Sequence, residues 1–235
     1  MTVNDIMTDL EAHGSEGLKK ILVKHGVKEP FFGVKVEHLK IIQKKVKKDY
    51  QLAKDLYDTG NADAQYLAGL IADDAKMTKA DLQAWAKGAL SDNISSNTVP
   101  WVAAEGNYGY ELALEWIESP EEYIAVAGWA TLGSLASLKP DSELDMDSLK
   151  SLLNRVEKTI HSSPNRVRGT MNNFIISVGA YVAPLTDYAI TVANNIGPVT
   201  VIKEGTACKT PAAVEYIGKA KARGSLEKKK KTVKC

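Results

Sequence analysis

Trp101 and Glu105 stand four residues apart, a spacing that puts both on one face of a helix. Such a pair can do chemistry: an aromatic face holds a cation, and a carboxylate stabilises positive charge as it develops. The same residues also read as a packing tryptophan and a solvated acid, and spacing alone leaves both readings open. A second polar group, Arg166, Arg168, Asn172 and Asn173, follows Pro164, with Arg168 and Asn172 one helical turn apart. Guanidinium and amide donors suit phosphate oxygens and base edges; they equally suit polar ladders between neighbouring helices. His13, His25, His38 and His161 have no metal-ligand spacing, and Cys208 and Cys235 form neither a CxxC pair nor a Cys/His cluster. No metal, no cofactor and no disulfide framework are therefore expected. No Gly-rich phosphate loop, GxSxG elbow or HExxH motif is present either, so an active centre would have to be assembled from distant segments by folding.

The net charge of +1 conceals a segregation along the chain. Between Lys19 and Lys54 about eleven lysines face Glu29, Glu37 and Asp49. Between Glu105 and Ile160 about eleven acids face four bases, and from Lys203 onward about ten bases face three acids. Basic ends thus bracket an acidic middle, a pattern that can create a positive rim for phosphates at near-neutral net charge. Lys35, Lys40, Lys44 and Lys45, with Lys47 and Lys48, can track a polyanionic backbone, although they cannot all share one helix face. Lys228, Lys229, Lys230 and Lys231 read as part of a mobile basic tail. The alternative for all of them is a solvated helix face.

Positioning these residues falls to helices. Apolar residues recur at helical spacing in Leu18, Ile21, Leu22 and His25, and again in Val36, Leu39, Ile41, Ile42 and Val46. Further helices are expected over about 50–59, 62–73, 78–90, 98–105, 108–118, 121–137, 146–161, 165–182, 185–196 and 211–222. Thr78, Ser119-Pro120 and Ser163-Pro164 have the form of helix starts. Pro120 and Pro164 lie 44 residues apart, within the roughly 40–47-residue period of HEAT and armadillo repeats. Small residues such as Gly128 and Gly179 suit close helix packing. Val199–Ile202 and Thr206–Lys209, around Lys203-Glu204-Gly205, suggest one small β-hairpin, with an irregular connection as the alternative. The longest nearly uncharged stretch, Phe174–Leu185, falls short of the roughly 20 residues that span a bilayer, so no membrane segment is expected. The amino-terminal acids Asp5, Asp9 and Glu11 do not suit a secretion signal, which points to the cytoplasm.

The run Pro30-Phe31-Phe32-Gly33-Val34-Lys35-Val36 with Leu39, then Thr98-Val99, Glu115-Trp116-Ile117-Glu118-Ser119 and the lysine-rich carboxyl end, resembles the AlkD-type DNA alkylation repair proteins over most of the chain. The resemblance implies an all-α, HEAT-like helical-repeat solenoid over 1–226 with a basic tail over 227–235, and DNA as the partner through phosphate contacts. Active members excise N3- or N7-alkylated purines with a Trp and an Asp four residues apart, a later Arg and a second Trp. Anchoring on Thr98-Val99 sets Ser96 and Pro100 at the first pair, Ala127 at the Arg and Asn173 near the second Trp. None can supply that chemistry, so the resemblance implies a noncatalytic or catalytically divergent DNA-binding protein. The rivals are a glycosylase using displaced residues such as Trp101 and Glu105, and a protein-binding scaffold.

Overall fold

Helix starts are set by short polar side chains that satisfy otherwise unpaired backbone N–H groups. Thr2 and Thr78 each form a reciprocal capping box with an aspartate three residues on, and Asn61 caps the N–H groups of Asp63 and Ala64. Not every expected cap operates. The Ser119 hydroxyl accepts from Glu121 N one turn before its helix begins, while Ser163 Oγ donates back to the Thr159 carbonyl. The start following Ser163 is capped from elsewhere: Glu122 accepts from Arg166 N at 2.7 Å, across the 44-residue interval of the repeat.

The computed structural model describes residues 1–202, 209–224, 226 and 228–234. Its α-helices are α1 (Val3–Ala12), α2 (Glu16–Lys24), α3 (Val36–Val46), α4 (Tyr50–Asp58), α5 (Ala62–Ile71), α6 (Lys79–Gly88) and α7 (Val99–Glu105). They continue as α8 (Gly109–Trp116), α9 (Glu122–Leu138), α10 (Met146–Thr159), α11 (Asn165–Tyr181), α12 (Thr186–Ile196) and α13 (Ala213–Ala222). The protein is all-α, and no strand occurs among the described residues. Val199–Ile202 is an extended connection: Asn165 pairs with both backbone groups of Ile202, and Arg168 donates to Thr200 O. The remainder of the expected hairpin, residues 203–208, lies outside the described residues.

Two layers follow from which helices touch. The odd-numbered helices from α3 to α13 pack in chain order, and each even-numbered helix from α4 to α12 packs against at least one of them. α9, in the centre, buries residues all round, as a helix enclosed by neighbours must. Gly128 lets α8 approach it, because a Cβ there would lie 2.7 Å from Ile117 N and 3.0 Å from Ala113 O. The core has two clusters that meet at α8 and α9, one built on α1–α7 and one on α9–α13. Trp116 and Trp129 are core residues, 3% and 1% exposed. α2 differs from its pattern: it buries no residue completely, and Ile21 faces solvent. No single helix among the described residues is long and apolar enough to cross a membrane.

Local polar anchors set the layers' spacing. Asp63, at the start of α5, accepts from the N–H groups of Phe32, Gly33 and Val34 at 2.7, 2.9 and 3.2 Å. Burial pushes its carboxyl above the ordinary carboxylate range, against the pull of those N–H groups. This is what holds the Phe-Phe-Gly-Val turn against α5.

Candidate nucleic-acid interface

A proline inside a helix cannot donate its hydrogen bond and crowds the preceding turn. The helix leading to Pro100 accommodates it by widening into a π-helical turn, Ile94–Thr98, in which Val99 N bonds back to Ile94 O. The wide turn presents Ser96 and Asn97 to a groove on the odd-numbered layer, and π-turns of this kind recur at functional sites. One part of the groove, about 660 Å³, runs between Gly26-Val27, the π-turn and the start of α11. A second part, about 330 Å³, lies among the π-turn, α9 and α11, and Ser96, Asn97, Thr170 and Asn173 line both.

The groove is polar in an amide-rich way. Asn97 donates to Ser96 Oγ, which itself donates to Asp92 O at 2.6 Å, and the buried Asn93 Oδ1 has no hydrogen-bond partner among the described residues. Of the positions that the resemblance assigns to catalysis, Ser96 and Asn173 line the groove, whereas Pro100 and Ala127 are buried in helix packing.

The polar strip on α11 divides by task. Arg166 reaches the groove, where it pairs with Asp92 at 3.1 Å and lies over Tyr123. Asn173 is exposed beside it. Arg168 donates to Ser163 O and Thr200 O, and the buried Asn172 donates to Pro211 O at 2.9 Å. Those two hold backbone in place, as polar ladder residues do.

Trp101 and Glu105 do share α7, but they open on different hollows. Trp101 is 6% exposed, meets Tyr66 edge-on and borders the 330 Å³ hollow. Glu105 borders a separate hollow of about 490 Å³ with Lys44, Lys47, Lys48 and Lys234. Its carboxylate accepts from Thr232 Oγ1 and, at 2.8 Å, from Val233 N.

The basic residues separate similarly. Lys44 and Lys45 are exposed in the last turn of α3, where the helix dipole favours cations, and Lys44 joins the hollow beside Glu105. Lys35 is exposed at the opposite end of that helix, and Lys40 is half-buried between them. The carboxyl-terminal segment is not free as its composition suggests: residues 228–234 lie against the odd-numbered layer. Lys228, Lys230 and Lys231 are exposed there, while the Lys229 ammonium stands 2.8 Å from Asp141.

The histidines bring a further difference. His13 and His38 stack at 3.7 Å on either side of the reach of Asp9, whose carboxylate is 2.9 Å from His38 Nε2. Ligand atoms of the three lie within 4.8 Å of one another, a convergence that spacing could not reveal because His38 comes from another helix. The rings are nearly parallel, 18° apart, so their in-plane lone pairs do not meet at a common ion; the trio reads as a clasp between α1 and α3.

Sequence reasoning missed the buried Asp74, the π-turn and the docking of Val233. Only the π-turn had a signal, namely a proline one turn inside an expected helix start.

The chain resembles known proteins over nearly its whole length. A family model for DNA alkylation repair enzymes matches residues 6–216. Uncharacterized protein Lin0241 of Listeria innocua is 31% identical over 229 residues, covering 95% of this chain and 99% of its own. Uncharacterized protein Lmo0209 of Listeria monocytogenes is 30% identical over the same coverage. A solved structure, from a new family of proteins related to the HEAT-like repeat DNA glycosylases with affinity for branched DNA structures, is 36% identical. It covers all of both chains with a TM-score of 0.92.

Proposed function

Because the chain belongs to the DNA alkylation repair family, we propose that it is a DNA-binding member that holds branched DNA through phosphate contacts and does not excise alkylated bases. The observation that carries this reading is the groove itself. The resemblance sets the buried Pro100 at the catalytic carboxylate, and the carboxylate that does line this groove, Asp92, is tied to Arg166 at 3.1 Å, beside the Ser96 hydroxyl and the Asn97 and Asn173 amides. Hydroxyl, amide and guanidinium donors bind phosphates and base edges; they do not supply negative charge to a sugar cation. The affinity of the 36% identical structure's family for branched DNA supports the choice of partner. Lys44, Lys45, Lys228, Lys230 and Lys231, all exposed, are the phosphate contacts of the proposal.

The test measures binding to intact, alkylated, single-stranded and branched DNA at several salt concentrations, with base release followed on the same substrates. Branched DNA is expected to bind tightest, with affinity falling as salt rises and no N3-methyladenine or N7-methylguanine released. Absence of binding at low and moderate salt would sink the reading and leave a protein-binding scaffold. Robust base release would revive the glycosylase reading.

A further inference from the structure

An extended, lysine-rich segment that lies on a folded surface has to be held by something, and here the holders are acidic. The Lys229 ammonium pairs with Asp141 and donates to Ala136 O at 2.9 Å. Asp141 Oδ1 stands 2.8 Å from the Lys229 ammonium, while Asp141 Oδ2 accepts from Ala183 N. Lys230 N donates to Ser137 O, and its ammonium lies over Tyr181. Glu105 takes Thr232 Oγ1 and Val233 N, while the Val233 side chain packs on the core near Trp101. Lys234 ends the run in an ion pair with Asp74 at 2.6 Å, the two side chains 9% and 3% exposed.

The seat thus consists of Asp74, Glu105 and Asp141 with intervening carbonyls, on the layer that carries the groove. Without the segment, Glu105 and Asp141 would face whatever lies on that layer, while Asp74 would keep Lys48 at 3.3 Å. Charges within a Debye length of roughly 8–10 Å are only partly screened near physiological salt, so they would repel phosphates there. With the segment in place Asp141 and Asp74 each have an ammonium partner from it and Glu105 has two hydrogen-bond donors, while Lys228, Lys230 and Lys231 remain exposed.

We propose that Asp74, Glu105 and Asp141 form a binding site for an extended lysine-rich peptide, occupied by this chain's own residues 228–234, and that the docked segment acts as a counter-cation strip masking an acidic surface from nucleic acid. The masking role rests on the DNA-binding reading above; the seat does not.

The test compares the full chain, a chain lacking 228–235, and that truncated chain carrying Glu105→Gln and Asp141→Asn, each checked for folding by helical circular dichroism. A labelled peptide of residues 228–234 is titrated into both truncated proteins, and branched DNA into all of them. The peptide is expected to bind the truncated chain saturably, and to bind more weakly when the seat is neutralised or salt is raised. Truncation, which removes five lysines, is expected to lower DNA affinity by at least about tenfold. Neutralising the seat, or adding the peptide, is then expected to recover much of that loss.

If neutralisation recovers nothing, the lysines act only by touching phosphates and masking is overturned. Tighter DNA binding after truncation overturns it too, since the segment would then be an obstruction. Failure of the peptide to bind a folded truncated chain overturns the seat. If the full chain binds no DNA, the DNA-binding reading and the masking role both fall, and peptide binding alone decides the seat.

Discussion

Lys44 and Lys45 are the simplest residues to interrogate, because they are exposed and carry no packing duty. Replacing both with Ala should weaken DNA binding across sequences alike. The slope of log affinity against log salt should become shallower by about 1–2, which salt titration measures. Glu105→Gln should leave base release at background, since its carboxylate already serves Thr232 and Val233. Asp81 tests electrostatics away from the interface. Burial pushes its carboxyl up, but Lys54, Thr78 and Tyr50 outweigh that and hold it well below its ordinary 3.8. Its ion pair with Lys54, at 2.7 Å, therefore contributes stability that is complete above that ordinary value and is lost as pH falls below it. Urea denaturation at pH 7 and pH 3 should show a smaller acid loss for Asp81→Asn than for the parent. Lys54, pushed up to about 12 by Asp81 and Tyr50, keeps its charge through the whole range tested.

At the level of elements, the close approach of α8 and α9 leaves no room beside Gly128, where the obstructing atoms include backbone. Gly128→Ala is expected to destabilise by about 1–3 kcal/mol, read from the urea midpoint. Asp63→Asn turns one of three satisfied acceptor contacts into a facing pair of donors, with an expected cost of about 1–3 kcal/mol. The helices were legible because they depend on short-range periodicity: the expected 165–182 and 121–137 appear as Asn165–Tyr181 and Glu122–Leu138. What was not legible depends on distance. α11 takes its cap from Glu122 in the previous repeat, and Arg168 with Asn172 serves backbone rather than ligand. No spacing within α11 separates those two from Arg166 and Asn173. α1 escaped notice because only Ile6 and Leu10 are fully buried in it, too few to write a clear stripe.

For the molecule as a whole, most tertiary contacts join neighbours in the helix order, as in any array of repeats. Among the exceptions are the pairing of Arg166 with Asp92 and the contacts of residues 228–234, whose partners are as much as 162 residues away. Composition reads this segment as a solvated tail because nothing local distinguishes a lysine paired with a buried aspartate from one in water. The segment bridges the two halves of the helical array, with Ser137 and Tyr181 on α9 and α11 at one end and Asp74 and Glu105, after α5 and on α7, at the other. That bridging has a mechanical consequence. Stretched between its ends in an optical trap, the protein should first give a small extension at low force as these side-chain attachments peel away one after another. Each freed residue adds about 3.3–3.6 Å of contour length. The helix pairs, whose interfaces are apolar and shared with neighbours, should yield afterwards at higher force. In Lys234→Gln, which removes the ion pair with Asp74, the early step should shift to lower force while the later ones stay where they were.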